Sequence, residues 1–260
     1  MSEAYWDKLA LEATKPKIKT INLGKNWLAI YTDTRVGSLL VDAITKYWKD
    51  NGGYLLDVGC GSGKWTNLFA QSFSQLRTIG IDLSKEMLKL AKMQSSKENT
   101  HLTRMNIAKL ALPNNRFDVV TSVTVLQHIS DHETWRTAVK EIVRVTRPQG
   151  HVIIYDAFLP IGRFRVKKLR EYVSYFKAAG AKLIHWEGAD PSYPIKVGGL
   201  IEYGRSFSQE KVYYFKNFPK FSSKFSQILA TVAYVLDVYV GKTILGMMAP
   251  HKIIVFKKEK

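Results

Sequence analysis

The central part of the chain alternates short apolar runs with stretches in which apolar residues recur every three or four positions. The short runs have the length of buried strands, and the longer stretches have the periodicity of amphipathic helices. Five runs are predicted as strands, at residues 54–58, 77–81, 102–105, 117–122 and 151–155. Because helical segments separate them, we expect a parallel sheet with right-handed crossover connections.

The pattern is weaker on both sides of this region. Residues 1–34 hold aromatic side chains among polar ones with little periodicity, and residues 36–48 then repeat as an amphipathic helix. Further on, a helix ends at Gly180, and apolar runs at 181–187 and 252–257 are candidates for the last two strands, whose order stays open. The predicted division is an N-terminal segment and helix (1–50), a core (51–187), an aromatic-rich insertion (188–250) and a last core strand (251–260).

The net charge and the hydropathy pattern limit the kinds of partner that this chain is expected to bind. Thirty-nine Lys and Arg against 22 Asp and Glu give a net charge of +17, which attracts nucleic acid, anionic headgroups or acidic small molecules. The basic residues are spread along the chain, so a nucleic-acid partner is the less favoured interpretation. Residues 225–240 form an apolar helical stripe that is too short before its first charge to span a bilayer. Burial in the insertion or in a dimer interface is favoured over contact with a membrane surface, and the chain is expected to be a monomer or a homodimer.

Three other features narrow the class of protein. A single cysteine, Cys60, excludes a disulfide framework and a cysteine-based zinc cluster. No group of His, Asp and Glu has metal-ligand spacing, so we expect no metal. The N-terminal residues carry mixed charge without an apolar centre, unlike a signal peptide, and we therefore expect a cytoplasmic protein.

The first predicted strand ends in a tight turn in which Gly59, Gly61 and Gly63 alternate with small residues. Bare backbone at such a turn lets a ligand lie close, and the following helix directs its free N–H groups toward that ligand. The dinucleotide fingerprint fails because its third glycine position is Lys64, and no Gly-Lys-Ser or Gly-Lys-Thr of a phosphate loop follows. An aspartate just ahead of G-x-G-x-G, here Asp57, instead resembles motif I of the class I S-adenosylmethionine-dependent methyltransferases.

Further motifs of that family follow in the right order. Asp82 comes just past the second predicted strand, where a carboxylate grips a ribose diol, within a G-I-D-L-S-x-x-M-L pattern that is similar to the second motif. Asn106 stands where the family usually has an aspartate that accepts a hydrogen bond from the exocyclic amine of adenine. The side-chain carbonyl oxygen of asparagine can accept the same hydrogen bond, but it carries no negative charge. V-L-Q-H at residues 125–128 resembles the fourth motif, often V-L-x-H.

The resemblance covers residues 54–155 continuously and implies a doubly wound, mostly parallel seven-stranded sheet with an N-terminal helical segment and a C-terminal cap insertion. It implies S-adenosylmethionine as cofactor and S-adenosylhomocysteine as product. The residues that it places around the cofactor are Asp57, Gly59, Cys60, Gly61, Gly63, Asp82, Leu83, Met87, Asn106, Ile107, Ser122 and Val123. Two of these residues have a structural alternative: Asp57 would order the glycine turn, and Met87 would belong to the hydrophobic core. The N-terminal segment either forms a lid over the cofactor or packs against the edge of the sheet.

Candidate catalytic residues follow the fourth and fifth strands. His128 lies where ligands of open parallel sheets collect, and an unperturbed pKa near 6.5 suits a general base at neutral pH. The alternative is a structural histidine at a helix end. Asp156 faces the same edge in this interpretation and would bind an amine or a hydroxyl. Weaker substrate candidates are Tyr31, Arg35, Gln127 and Arg163.

The sequence says less about the methyl acceptor than about the cofactor. No Asn-Pro-Pro-Tyr-like sequence follows strand four, which disfavours amino methylation of nucleic-acid bases. We therefore expect an enzyme that methylates an O, N or C nucleophile of a small molecule, with acidic and lipid-like acceptors both left open. The alternatives are a protein or RNA methyltransferase that docks through its basic surface, and a cofactor-binding partner subunit without catalysis.

Overall fold

The computed structural model describes residues 2–13, 27–49, 52–95, 99–158, 167–188 and 251–260. The helices are α1 (Glu3–Ala13), α2 (Trp27–Tyr47), α3 (Lys64–Ser72), α4 (Lys85–Gln94), α5 (His132–Val145) and α6 (Leu169–Ala178). The strands are β1 (Gly53–Val58), β2 (Leu76–Asp82), β3 (Thr100–Arg104), β4 (Phe117–Val123), β5 (Thr146–Ala157), β6 (Ala181–Gly188) and β7 (His251–Lys258). A short 3₁₀ turn, Leu126–His128, follows β4.

The strands form one seven-stranded sheet in the order β3-β2-β1-β4-β5-β7-β6. Neighbouring strands from β3 to β5 are parallel, and β7 runs antiparallel to both β5 and β6. The predicted mostly parallel α/β sheet is therefore confirmed, and so are both candidates for the last two strands. From β1 the strand order runs outward through β2 to β3, and β4 then lies on the other side of β1. The order therefore reverses between β1 and β4, and a crevice forms at the carboxyl ends of these two strands.

Side chains alternate between the two faces of the sheet, and each face is covered by helices. On one face α5 and α6 bury Trp135 and Phe176, and the ring of Phe176 stacks on Phe256 of β7 with centroids 4.1 Å apart. On the other face α2 and α3 bury Leu40 and Phe69. Apolar cores on both faces make the sheet a rigid platform from which only the strand ends and their loops reach a ligand.

Two boundaries differ from the sequence prediction. β5 begins at Thr146 rather than near residue 151, because α5 ends at Val145 and Thr146 pairs at once with Phe117 of β4. The weakly periodic N-terminal residues contain α1, and α2 begins at Trp27, well before the periodic stretch that predicted it.

Several predictions lie outside the described residues. They are the substrate role of Arg163, the side chain of Tyr31, the insertion beyond Gly188 and the apolar stripe at 225–240. Within the described ranges, no helix combines the length and the apolar character that crossing a membrane requires. The division of the chain into domains stays a prediction.

Candidate active site

The carboxyl ends of β1 and β4 meet at the crevice, and the glycine turn fills its β1 side. Gly59, Gly61 and Gly63 all have positive φ, at 70°, 54° and 81°. A Cβ on Gly59 would lie 2.5 Å from a methyl of Val125, and one on Gly63 would lie 2.9 Å from Cβ of Ala91 in α4. A Cβ on Gly61 would have no neighbour within 4 Å in the part of the chain that the structure describes. Gly59 and Gly63 are thus fixed by the protein's own packing, whereas Gly61 presents bare backbone to open space.

Asp82, at the end of β2, joins the glycine turn to the next turn. Its Oδ2 accepts a hydrogen bond from the N–H of Gly61 at 2.8 Å, and its Oδ1 accepts one from the N–H of Ser84 at 2.8 Å. Burial raises the pKa of this carboxyl, while the backbone N–H groups oppose the shift. Each oxygen keeps a second lone pair, so the side chain can still accept from two hydroxyls of a ribose.

Asp57 lies deeper, beneath the turn. Its two oxygens accept hydrogen bonds from the hydroxyls of Thr66 in α3, at 2.6 Å, and Thr121 in β4, at 3.0 Å. Burial raises the pKa of Asp57 to about 6 against the two hydroxyls. Because the side chain is enclosed, it fastens the start of α3 to the sheet, which supports the structural alternative for this residue.

Cys60 is a buried filler between the glycines. Its N–H donates to the carbonyl of Ile81 at 2.9 Å, which ties the turn to β2. Burial raises the pKa of the thiol well above its usual range, so the thiolate is disfavoured.

The residues predicted to contact the adenine differ in their exposure and in their hydrogen bonds. Met87 is 3% exposed, which fits a core methionine. The carbonyl of Leu83 accepts from Nε of Arg104 at 3.0 Å, which holds the loop after β2. Asn106 is exposed, and its Oδ1 accepts from a backbone N–H of its own turn at 2.9 Å, while Ile107 packs against the core. The Asn106 oxygen retains one lone pair for an exocyclic amine.

At the end of β4 the backbone is strained. Ser122 and Val123 are buried, so any contact of theirs with a ligand runs through the main chain. Thr124 has φ of 57°, a conformation that β-branched residues rarely adopt, and its N–H donates to the carbonyl of Tyr155 at 2.7 Å. This bend places Val125 against Gly59. The sequence placed the backbone of Thr124 beside the cofactor but did not predict its left-handed conformation, because nothing in the residue type indicates it; such strain concentrates at functional sites.

His128 ends the 3₁₀ turn after β4. Its ring lies 5.2 Å, centroid to centroid, from that of Trp6 in α1, edge against face. Burial, with a smaller contribution from the positive N-terminus, lowers the pKa of His128 to about 4. The prediction of an unperturbed pKa is therefore not met: the imidazole is neutral at physiological pH and is a weaker base than expected. Gln127 is occupied as well, since its Oε1 accepts from the N–H of Ala157 at 2.6 Å.

Asp156 does not reach the edge as predicted. It is fully buried on the α5–α6 face, where its Oδ2 accepts a hydrogen bond from the hydroxyl of Tyr172 at 3.0 Å. Burial raises its pKa to about 8, so the side chain is protonated at neutral pH. The catalytic role predicted for Asp156 is therefore not supported: alternation along β5 puts this side chain on the face that α5 and α6 cover, where the protein encloses it.

Arg35 and two aromatic rings mark the far side of the same edge. Arg35 on α2 is buried, with its guanidinium 4.0 Å from the carboxylate of Glu187 at the end of β6. The rings of Tyr155 and His251 stack with centroids 5.3 Å apart and an angle of 7° between planes. Sequence reasoning missed this stack, since it depends on the pairing of β5 with β7. The substrate role of Arg35 stays a prediction.

An open α/β sheet with a bare-backbone turn and a carboxylate at its switch point defines a class of proteins that bind nucleoside cofactors. Residues 56–154 match the family described as a methyltransferase domain. Together with the fold, this match makes the region from β1 to β5 similar to the class I S-adenosylmethionine-dependent methyltransferases. S-Adenosylmethionine is the cofactor of that class, and among the described residues none fills the space next to Gly61, beside Asp82.

Among the relatives is a demethylmenaquinone methyltransferase of Bacillus licheniformis, 34% identical over 143 residues, which are 51% of this chain and 59% of the relative. An uncharacterized methyltransferase of Schizosaccharomyces pombe is 36% identical over 114 residues, 40% of each chain. The chain thus spans only about half the length of these curated relatives.

Solved structures show the same fold. The [4+2]-cyclase SpnF aligns with a TM-score of 0.56 and 18% identity, covering 85% of this chain and 81% of its own. Phosphoethanolamine N-methyltransferase 2 of Haemonchus contortus, in complex with S-adenosylmethionine, aligns with a TM-score of 0.55 and 19% identity, covering 85% of this chain and 53% of its own. At these identities the likeness shows the fold alone, and a cyclase among the neighbours means that the fold does not fix the reaction.

Proposed function

We propose that this chain transfers the methyl group of S-adenosylmethionine to an O, N or C nucleophile of a small-molecule acceptor. The observation that carries the proposal is the hydrogen bond between the Gly61 N–H and Asp82 at the switch point, since it places an anionic carboxylate beside bare backbone. When bound, the cofactor supplies a methyl group already activated by a sulfonium charge. The protein then needs to align the acceptor and to leave its nucleophile unprotonated.

The residues of the crevice have distinct tasks in this proposal. Asp82 accepts from the ribose hydroxyls, and Gly61 lets the ligand approach the main chain. His128, neutral at pH 7, accepts a hydrogen bond or a proton from the acceptor. With a pKa of about 4 the imidazole is a weak base and is better suited to accept a hydrogen bond from the acceptor than to remove its proton. Trp6 covers His128 and excludes water from its ring.

The relatives favour a hydroxy-aromatic acceptor as the first to test. Several of them are named demethylmenaquinone methyltransferase. A quinone ring is electron-poor, whereas its reduced form is electron-rich and is the form that can attack the methyl group. The neutral surroundings of His128 and the stacked rings at Tyr155 also suit an uncharged aromatic ring.

The decisive experiment incubates purified protein with methyl-labelled S-adenosylmethionine and two acceptor sources, a chemically reduced demethylmenaquinone and a total metabolite extract. Label in a product identified by mass, together with stoichiometric S-adenosylhomocysteine, is the expected result. Heat-inactivated protein is the control. Cofactor binding without label in any product would contradict catalysis and favour a non-catalytic partner subunit.

A macromolecular acceptor is the second candidate, because the net charge of +17 favours an anionic partner. RNA binding that falls steeply between 50 and 200 mM salt, roughly a thousandfold for about six phosphate contacts, would support it. Methyl transfer to RNA or protein in the same extract would then replace the small-molecule proposal.

A further inference from the structure

Helix α1 lies across the carboxyl edge of the sheet, and we propose that it is part of the cofactor site, with Asp7 as a positioning residue that sets Asp82 through Ser84. The inference rests on the proposed function, since it assumes that Asp82 holds the ribose. It goes further because it assigns helix α1 to the side of the crevice that would bind the cofactor. It also names Asp7 as the residue that couples α1 to the cofactor site.

A continuous path of hydrogen bonds supports the assignment. Oδ1 of Asp7 accepts from Oγ of Ser84 at 2.5 Å and from the N–H of Glu86 at 3.2 Å, at the start of α4. The N–H of Ser84 donates to Asp82 at 2.8 Å, and the other oxygen of Asp82 accepts from the N–H of Gly61 at 2.8 Å. Asp7 is thus connected to the glycine turn through Ser84 and the predicted ribose residue Asp82.

The path also fixes the direction of each hydrogen bond. The Ser84 hydroxyl has one proton, which it donates to Asp7, while its oxygen accepts from the N–H of Met87 at 3.0 Å. Removal of the Asp7 carboxylate frees that hydroxyl to rotate and leaves the N–H of Glu86 without this acceptor. The turn that presents the N–H of Ser84 to Asp82 then loses its outer support.

Two further contacts show that α1 spans the edge rather than touching it at one point. Glu3 forms an ion pair with Arg104 at the end of β3, and Nε of Arg104 donates to the carbonyl of Leu83 at 3.0 Å. At the other side, Trp6 packs against His128 after β4. Side chains of α1 therefore reach residues at the carboxyl ends of both β3 and β4, which lie on opposite sides of β2 and β1 in the sheet.

The test measures the affinity for S-adenosylhomocysteine by calorimetry in the full chain and three variants. Asp7→Ala should weaken binding roughly 5-fold or more, the lower end of typical coupling between sites. Asp7→Asn, whose amide oxygen still accepts from Ser84, should fall between the two. Glu12→Ala is the matched control: Glu12 is an acidic residue of the same helix for which the described part of the chain shows no ion pair, and its affinity should equal the wild-type value.

A second readout separates positioning from a merely structural role. If α1 docks better on the cofactor-bound domain, binding must in turn stabilise the docked helix by the same factor. S-Adenosylhomocysteine should therefore slow tryptic cleavage after Lys8, an exposed residue of α1, in the wild type and much less in Asp7→Ala. In a Ser84→Ala background, Asp7→Ala should cost little additional affinity, because the shared hydrogen bond is already gone.

Equal affinity of Asp7→Ala and the wild type overturns the inference, and tighter binding by Asp7→Ala would show that α1 blocks the site instead. A wild type that binds no S-adenosylhomocysteine overturns the proposed function itself. The two failures are thus distinguished by the wild-type titration alone.

Discussion

The carboxyl edge of the sheet has a proposed cofactor half, at the ends of β1 and β2, and a proposed acceptor half, at the ends of β4 and β5. The two halves differ in the charge of their titratable side chains. At the ends of β1 and β2, Asp82 is held by two backbone N–H groups that oppose the effect of burial on its pKa. At the ends of β4 and β5, His128 has its pKa lowered to about 4 and Asp156 has its pKa raised to about 8, so both are uncharged at pH 7. The first half thus presents a carboxylate, whereas the titratable groups of the second are uncharged, and Asp156 among them is enclosed by the protein.

The contact between the halves gives the largest expected effect. Gly59→Ala would place a Cβ 2.5 Å from Val125, at a φ of 70°, and so push the glycine turn away from the end of β4. Overpacking and left-handed strain together should lower the free energy of unfolding by about 2–5 kcal/mol. Urea unfolding measures it. A variant as stable as the wild type would mean that the two halves do not touch there.

The acceptor half is tested by His128→Ala. If the imidazole accepts a proton from the acceptor, turnover should fall roughly 100-fold, while the affinity for S-adenosylhomocysteine stays close to the wild-type value. Initial rates of labelled methyl transfer and calorimetry give the two numbers. Full-rate turnover would leave His128 as a structural residue beneath Trp6.

On the cofactor half, Asp82→Ala should weaken S-adenosylhomocysteine binding by about 1.5–3 kcal/mol, the range for hydrogen bonds to charged groups. Asp82→Asn is the matched variant, because it keeps one acceptor oxygen and should lose less. Unchanged affinity in calorimetry would remove Asp82 from the ribose site.

The buried acid of the acceptor half should reveal itself in the pH dependence of stability. The folded protein holds the Asp156 proton up to about pH 8, whereas the unfolded chain releases it near its ordinary pKa of 3.8. Stability from this group is therefore lost as pH rises through that window. Asp156→Asn should flatten that loss and gain at least about 1 kcal/mol relative to the wild type at pH 8. Parallel pH profiles for the two proteins would mean that Asp156 is ionised in the folded state.

The same contrast explains what the sequence could predict. Gly59, Gly61 and Asp82 depend on local geometry, a turn after one strand and a carboxylate after the next, which residue type and spacing encode directly. The mostly parallel sheet followed from strands alternating with helices. The acceptor half depends on contacts between distant segments.

Asp156 illustrates the limit on the acceptor side. Its burial is decided by which face of β5 it occupies and by Tyr172 of α6, neither of which spacing reveals. The bend at Thr124 and the packing of α1 on His128 likewise arise only from tertiary structure, which overrides local preference.

The central claim is that bare backbone at Gly61, beside Asp82, receives the cofactor. Gly61→Ala tests it most directly, because the added Cβ meets no atom of the described residues within 4 Å and adds left-handed strain of about 1–2 kcal/mol in the free protein. Calorimetric titration with S-adenosylhomocysteine, alongside thermal unfolding, should show a folded variant whose affinity falls at least about 10-fold below that of the wild type. A folded Gly61→Ala variant that binds as tightly as the wild type would contradict the account.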